Sequence, residues 1–141
     1  MSFELLNTKE TSINEGRSCI ILCNFNVKES KTIGNLAGML GIRDKIVISY
    51  KNGNTLVKDV LAGNILNDAE DGAKSKAIIF NNIPGAKIGL FIENLKKFRL
   101  NNVLKATVTE TSKEWTVNVL LNNLRAENIA MKSGKAFEHE E

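Results

Sequence analysis

The sequence predicts a three-layer α/β fold, with a four-stranded, mostly parallel sheet between two sets of helices. Two observations lead there. Strand-like apolar runs alternate with helix-like amphipathic segments along the chain. Such alternation implies crossover connections that lay strands side by side in one direction. The first run, residues 19–25, is apolar with hardly a break. A strand with one wet face would alternate instead, so this one is expected to be covered above and below. The length of 141 residues suits one domain. A chain of that size buries roughly 68% of its unfolded surface, enough for a core without disulfide or metal.

The elements follow in order. Residues 1–17 read as an arm, polar apart from Phe3, Leu5, Leu6 and Ile13, ahead of a single domain over 18–132. After the first strand, Ile33, Leu36, Ala37 and Leu40 recur at helical spacing over 29–40, and Gly41 stands where a helix ends in a left-handed residue. Gly34 and Gly38 weaken that helix or let it pack closely. Residues 45–50 make a second strand (Ile46, Val47, Ile48), followed by the Asn52-Gly53 turn. Thr55 suits the N-cap of a short helix with Leu56, Val57, Val60 and Leu61 on one stripe and Gly63 at its end; a strand over 54–60 is the alternative. An acidic, turn-rich connection fills 64–75. The third strand is 76–80. Pro84 fits the first turn of a helix that runs to about Phe98 with Ile88, Phe91, Ile92, Leu95 and Phe98 inward. The fourth strand is 103–108. Thr111 and Glu114 have capping-box spacing ahead of a last helix that buries Val117, Leu120, Leu121 and Leu124 and frays near Met131. Residues 133–141 read as a charged tail. The expected order is 2-1-3-4, a small flavodoxin-like or half-Rossmann arrangement. No internal repeat is strong enough for a solenoid.

Composition narrows the function classes. Hydrophobic residues make up 43% and charged residues 25%, with a formal net charge of +3. The basic residues are mixed with acids; the densest patch is Lys96, Lys97, Arg99 and Lys105. Nucleic-acid binders cluster such residues in a stripe, so nucleic acid is not an expected partner; the patch reads as a solvated helix end. Cys19 and Cys23 would lie about 13 Å apart on one face of a strand, too far to bridge. A reduced, buried pair fits a cytoplasmic protein. No run reaches bilayer-spanning length, and the first ten residues lack the pattern of a signal peptide, so no membrane partner is expected.

A resemblance enters in the second half. Residues 76–82 (Lys-Ala-Ile-Ile-Phe-Asn-Asn), 91–100 (Phe-Ile-Glu-Asn-Leu-Lys-Lys-Phe-Arg-Leu) and 105–117 together resemble a small bacterial domain family of unknown function. Its strand enters a Thr-x-Thr-Ser-x-x-Trp turn before a leucine-rich helix, here Thr109, Thr111, Ser112 and Trp115. The resemblance covers about 76–131. Glu110 stands where it leads one to expect proline. The first half is similar only through Leu22-Cys-Asn-Phe and Leu40-Gly-Ile. The resemblance implies a bacterial, intracellular setting and no assigned activity.

In an open parallel sheet, ligands bind beyond the carboxyl ends of the strands where the order switches. The loops there would present Asn24 and Asn26, Asn81 and Asn82, then Thr109, Thr111 and Ser112. These neutral donors and acceptors, with a helix N-terminus, suit a small polar or anionic metabolite; the same residues serve equally as caps and turns. No phosphate loop, dinucleotide fingerprint or nucleophile elbow is present. The only histidine is His139, so no Ser-His or Cys-His pair is available in the core. Neither metal nor cofactor is expected, and receiver-type phosphorylation lacks its acids. The leading expectation is a non-catalytic ligand-binding or interaction module. The alternatives are an enzyme acting on an anionic substrate with Glu110 as base, and a homodimer formed through a helix face or the 45–50 edge strand.

Overall fold

The structure, a computed structural model, describes residues 17–98, 100 and 102–140, with 130–140 described by backbone alone. The 1–17 arm, apart from Arg17, lies outside the described residues.

Four strands, β1 (Cys19–Cys23), β2 (Lys45–Ile48), β3 (Ala77–Asn81) and β4 (Leu104–Thr107), form one open sheet in the order β2-β1-β3-β4. The helices are α1 (Val27–Met39), α2 (Val57–Ala62), α3 (Gly85–Lys97) and α4 (Val117–Glu140), with short 3-10 turns at Tyr50–Asn52 and Ser112–Glu114. All five residues of β1 are buried. Its unbroken apolar run reflects cover on both faces. On one side Ile20 and Leu22 pack with Ile33, Leu36, Phe91 and Leu95 of α1 and α3. On the other, Cys19, Ile21 and Cys23 pack with Val57, Val60, Val117, Leu120 and Leu121 of α2 and α4.

Strand order agrees with expectation, but the sheet is mixed, not mostly parallel. β1 runs parallel to β2 and β3 to β4, while the central pair β1/β3 is antiparallel, with Cys19 opposite Asn81 and Cys23 opposite Ala77. The reason lies in the connection. α2 has six residues and spans only about 9 Å, too little to return the chain across the sheet. Residues 64–76 then run back to the end where β2 finished, stitched to the preceding turn. The Ala69 N–H donates to Lys51 O (3.1 Å) and the Leu66 N–H to Thr55 Oγ1 (2.9 Å). Gly72 lies so close to Tyr50 that a Cβ there would stand 2.1 Å from its carbonyl oxygen. β3 therefore starts beside the end of β1.

The antiparallel centre makes the domain two similar halves about an approximate twofold axis through the Ile21–Ile79 pair. β3 and α3 begin at Ala77 and Gly85, each 58 positions after β1 and α1 begin at Cys19 and Val27, and both helices have 13 residues. The axis recurs where the second helices start. The Val57 N–H donates to Trp115 O (2.8 Å) and the Val117 N–H to Thr55 O (2.9 Å), flanking a Leu56–Thr116 bridge. Lys58 pairs with Glu114 (2.9 Å), and Asn118 bonds Asn54 (3.3 Å) in the corresponding place.

Several local expectations differ in detail. Thr55 is fully buried instead of capping α2, whose N-cap is Leu56. Thr111 makes no side-chain cap bond, and Glu114 is drawn to Lys58, so the expected capping box does not form. α4 continues through 133–140, read from sequence as a tail; Lys, Ala and Glu there are good helix formers.

Candidate functional site

The antiparallel centre divides the residues expected to share one cleft. Asn24 and Asn26 follow β1 at one end of the sheet. Asn81, Asn82, Thr109, Thr111 and Ser112 lie at the ends of β3 and β4, at the opposite end. Five-residue strands hold the groups about 15 Å apart. The single cleft between β1 and β3 presumed same-direction strands, and that geometry is absent from the central pair.

Most of these side chains are engaged with the protein itself. Asn24 adopts a left-handed backbone (φ 67°), and its Nδ2 donates to Ala73 O (3.1 Å) and Ser75 O (2.8 Å), fixing the chain as it enters β3. Asn82, also left-handed (φ 61°), occupies the related position and donates to Ser18 Oγ (2.9 Å), while Asn81 donates to Arg17 O (2.7 Å). These hold the chain as it enters β1. Asn26 caps α1 in a capping box with Glu29. Thr109 and Ser112 close a reciprocal turn: the Thr109 N–H donates to Ser112 Oγ (2.9 Å) and the Ser112 N–H to Thr109 Oγ1 (3.0 Å). Thr111 is exposed. Glu110, the candidate base, faces solvent and pairs with Lys113 (2.9 Å).

Elsewhere the ionisable groups do structural work. Arg17 makes a forked contact with Asp44 (2.6 and 2.9 Å) and donates to Leu61 O (3.1 Å). The Arg17 guanidinium holds the Asp44 carboxyl below its ordinary value. Lys76 (2.6 Å), and then the Asn26 N–H, do the same for Glu29. Burial pushes the Cys19 thiol up to about 11 and Cys23 to about 12. Among the described residues no group of three or more His, Cys, Asp or Glu is placed to hold a metal ion, and no helix is long and apolar enough to cross a membrane.

The 45–50 edge strand, expected from the sequence as an alternative dimer surface, borders a groove that the sequence did not mark. β2 is an edge strand whose residues alternate, Ile46 and Ile48 buried, Lys45 and Val47 outward. Between that outward face and the first turns of α1 lies a groove of about 330 Å³, lined by Phe25, Val27, Ser30, Lys31, Lys45 and Val47. Val27 is 86% and Val47 52% exposed. Ser30 is only 8% exposed, yet its hydroxyl has no hydrogen-bond partner. The alternation of Lys45 and Val47 was a readable signal for a half-covered strand. Nothing in the sequence marked Ser30.

The comparisons with known proteins point one way only. A family model described as "Domain of unknown function (DUF3783)" matches residues 76–131, which is the second of the two similar halves, from β3 into α4. No curated protein and no solved structure matches the chain.

Proposed function

We propose that this chain is a non-catalytic interaction module that docks a partner along the flank formed by β2 and α1. The observation that carries the reading is the groove itself. Val27 and Val47 leave apolar surface exposed beside one edge strand of the sheet, and each lines the same depression. Edge strands with apolar neighbours are surfaces that folded proteins normally cover. The reading gains from what the strand ends do elsewhere. Asn24, Asn81, Thr109 and Ser112 are spent on turns and inter-strand ties, and the residues expected to form one small-anion site do not share one end of the sheet. A homodimer through the 45–50 strand is one form the docking takes if the partner is a second copy.

The test places a photoreactive side chain at Val47 in the full chain, with Val119, exposed on α4, as control. The reading expects a discrete adduct from position 47 alone, identified by mass spectrometry and lost with Val27→Lys. Equal labelling from both positions contradicts it. So does a metabolite that raises Tm in the parent chain but not in Thr109→Val with Thr111→Val.

A further inference from the structure

We infer that the β2 flank takes an extended acidic peptide, which adds to the sheet as a fifth strand and places a carboxylate and an aliphatic side chain two residues apart. The inference rests on the docking reading and names its partner chemistry.

Four features of the flank fit that ligand. First, in the described structure β2 pairs with β1 on one side only. Among the described residues nothing pairs with its outward N–H and C=O groups, a ladder of the kind that strand-adding peptides use. Second, side chains of an added strand alternate, so every second one lies over the α1 face beside Lys45 and Val47. The residue beside Val47 enters an apolar depression whose walls include Phe25 and Val27. The residue beside Lys45, two positions away, meets an ammonium. Third, the groove's charges are of one sign. Lys31 and Lys45 line it and no carboxylate does. The nearby acids are committed elsewhere, Asp44 to Arg17 and Glu29 to Lys76. The Lys45 chain lies across Gly34 of α1, with its Nζ close to where a Cβ there would stand. Fourth, the Ser30 hydroxyl is buried in the wall with no partner. A buried hydroxyl left unpaired is costly, and a ligand oxygen that accepts its proton removes that cost.

Chemistry also separates this ligand from a free metabolite. An open flank with an apolar floor offers a small anion two lysines in water, where pairing is weak and screened. A peptide adds ladder bonds and apolar burial to the same charges.

The test is an NMR titration of the full ¹⁵N-labelled chain with a synthetic threonine-rich hexapeptide carrying Glu and Val two positions apart, and with the same peptide carrying Lys for Glu. The expected result is that the Glu peptide shifts amides of Ile46, Val47, Ile48 and Ser30 and leaves β4 unmoved. The Lys peptide should bind about tenfold more weakly, a ratio that falls as salt rises. Lys45→Glu should reverse the preference. Ser30→Ala, which removes an unsatisfied group and so preserves the fold, should weaken the Glu peptide several-fold. Equal binding of both peptides at β2 overturns the acidic ligand and leaves the docking reading intact. Shifts only at β4, or none, overturn strand addition at β2. If the position-47 adduct is absent as well, the docking reading falls with it. An adduct consisting of the chain itself, with no peptide binding, assigns the flank to a second copy instead.

Discussion

Asn24 and Asn82 each hold a left-handed backbone, and each sends its amide to the chain entering the neighbouring central strand. Asn tolerates this conformation and Ala does not, at about 1–2 kcal/mol per residue. Asn24→Ala loses that and two hydrogen bonds, so urea unfolding should show a loss of about 2–4 kcal/mol. Asn24→Gly keeps the backbone and should lose only the hydrogen-bond part. Equal losses in the two variants would contradict the backbone role. At the same scale, Cys19 and Cys23 are buried and their thiols sit at about 11 and about 12. At pH 8 neither should react with a thiol reagent until the protein is unfolded; prompt labelling of the native chain would contradict their packing. The residue types at the strand ends were legible in the sequence, but their use was not. An asparagine amide makes the same bonds to a ligand as to a backbone carbonyl, and only the direction of the neighbouring strand decides between them.

At the scale of elements, glycines separate permissive from obligatory positions. A Cβ at Gly38, inside α1, meets nothing within 4 Å, so Gly38→Ala should stabilise by about 0.5–1 kcal/mol through helix propensity. A Cβ at Gly72 would strike the Tyr50 carbonyl at 2.1 Å. A backbone atom yields poorly, so Gly72→Ala should cost about 1–3 kcal/mol; both changes are readable by thermal unfolding. The loop ties also set a pH dependence. Asp44 and Glu29 have folded values below their unfolded ones. Their stabilisation is therefore present above the ordinary carboxylate range, near 4, and is lost as pH falls through the folded values. Stability should decline below about pH 5, and Asp44→Asn should flatten part of that decline. The strands and long helices were legible because burial imposes period and continuity on β1, α1 and α3. Gly41 and Gly63 end their helices with positive φ, 85° and 89°, as their positions after an apolar stripe implied. Thr55 and Thr111 were not legible, since a threonine before a helix looks the same whether it caps, is buried or faces water.

For the whole molecule, order and direction parted company. The order β2-β1-β3-β4 follows from which segments are most apolar, because β1 and β3 must be central. Direction depends on how far the chain between β2 and β3 travels. That was set by a six-residue helix and a backtracking loop whose stitches, Leu66 to Thr55 and Ala69 to Lys51, join positions far apart in composition and pattern. The approximate twofold was hidden for a similar reason, since the halves share element lengths more than residues. The antiparallel centre is what divides the strand ends, and the order makes β2 and β4 the two edges of the sheet. Cross-strand proton NOEs between β1 and β3 test it most directly. The account predicts contacts pairing Cys19 with Asn81 and Cys23 with Ala77, and contacts pairing Cys19 with Ala77 and Cys23 with Asn81 would contradict it.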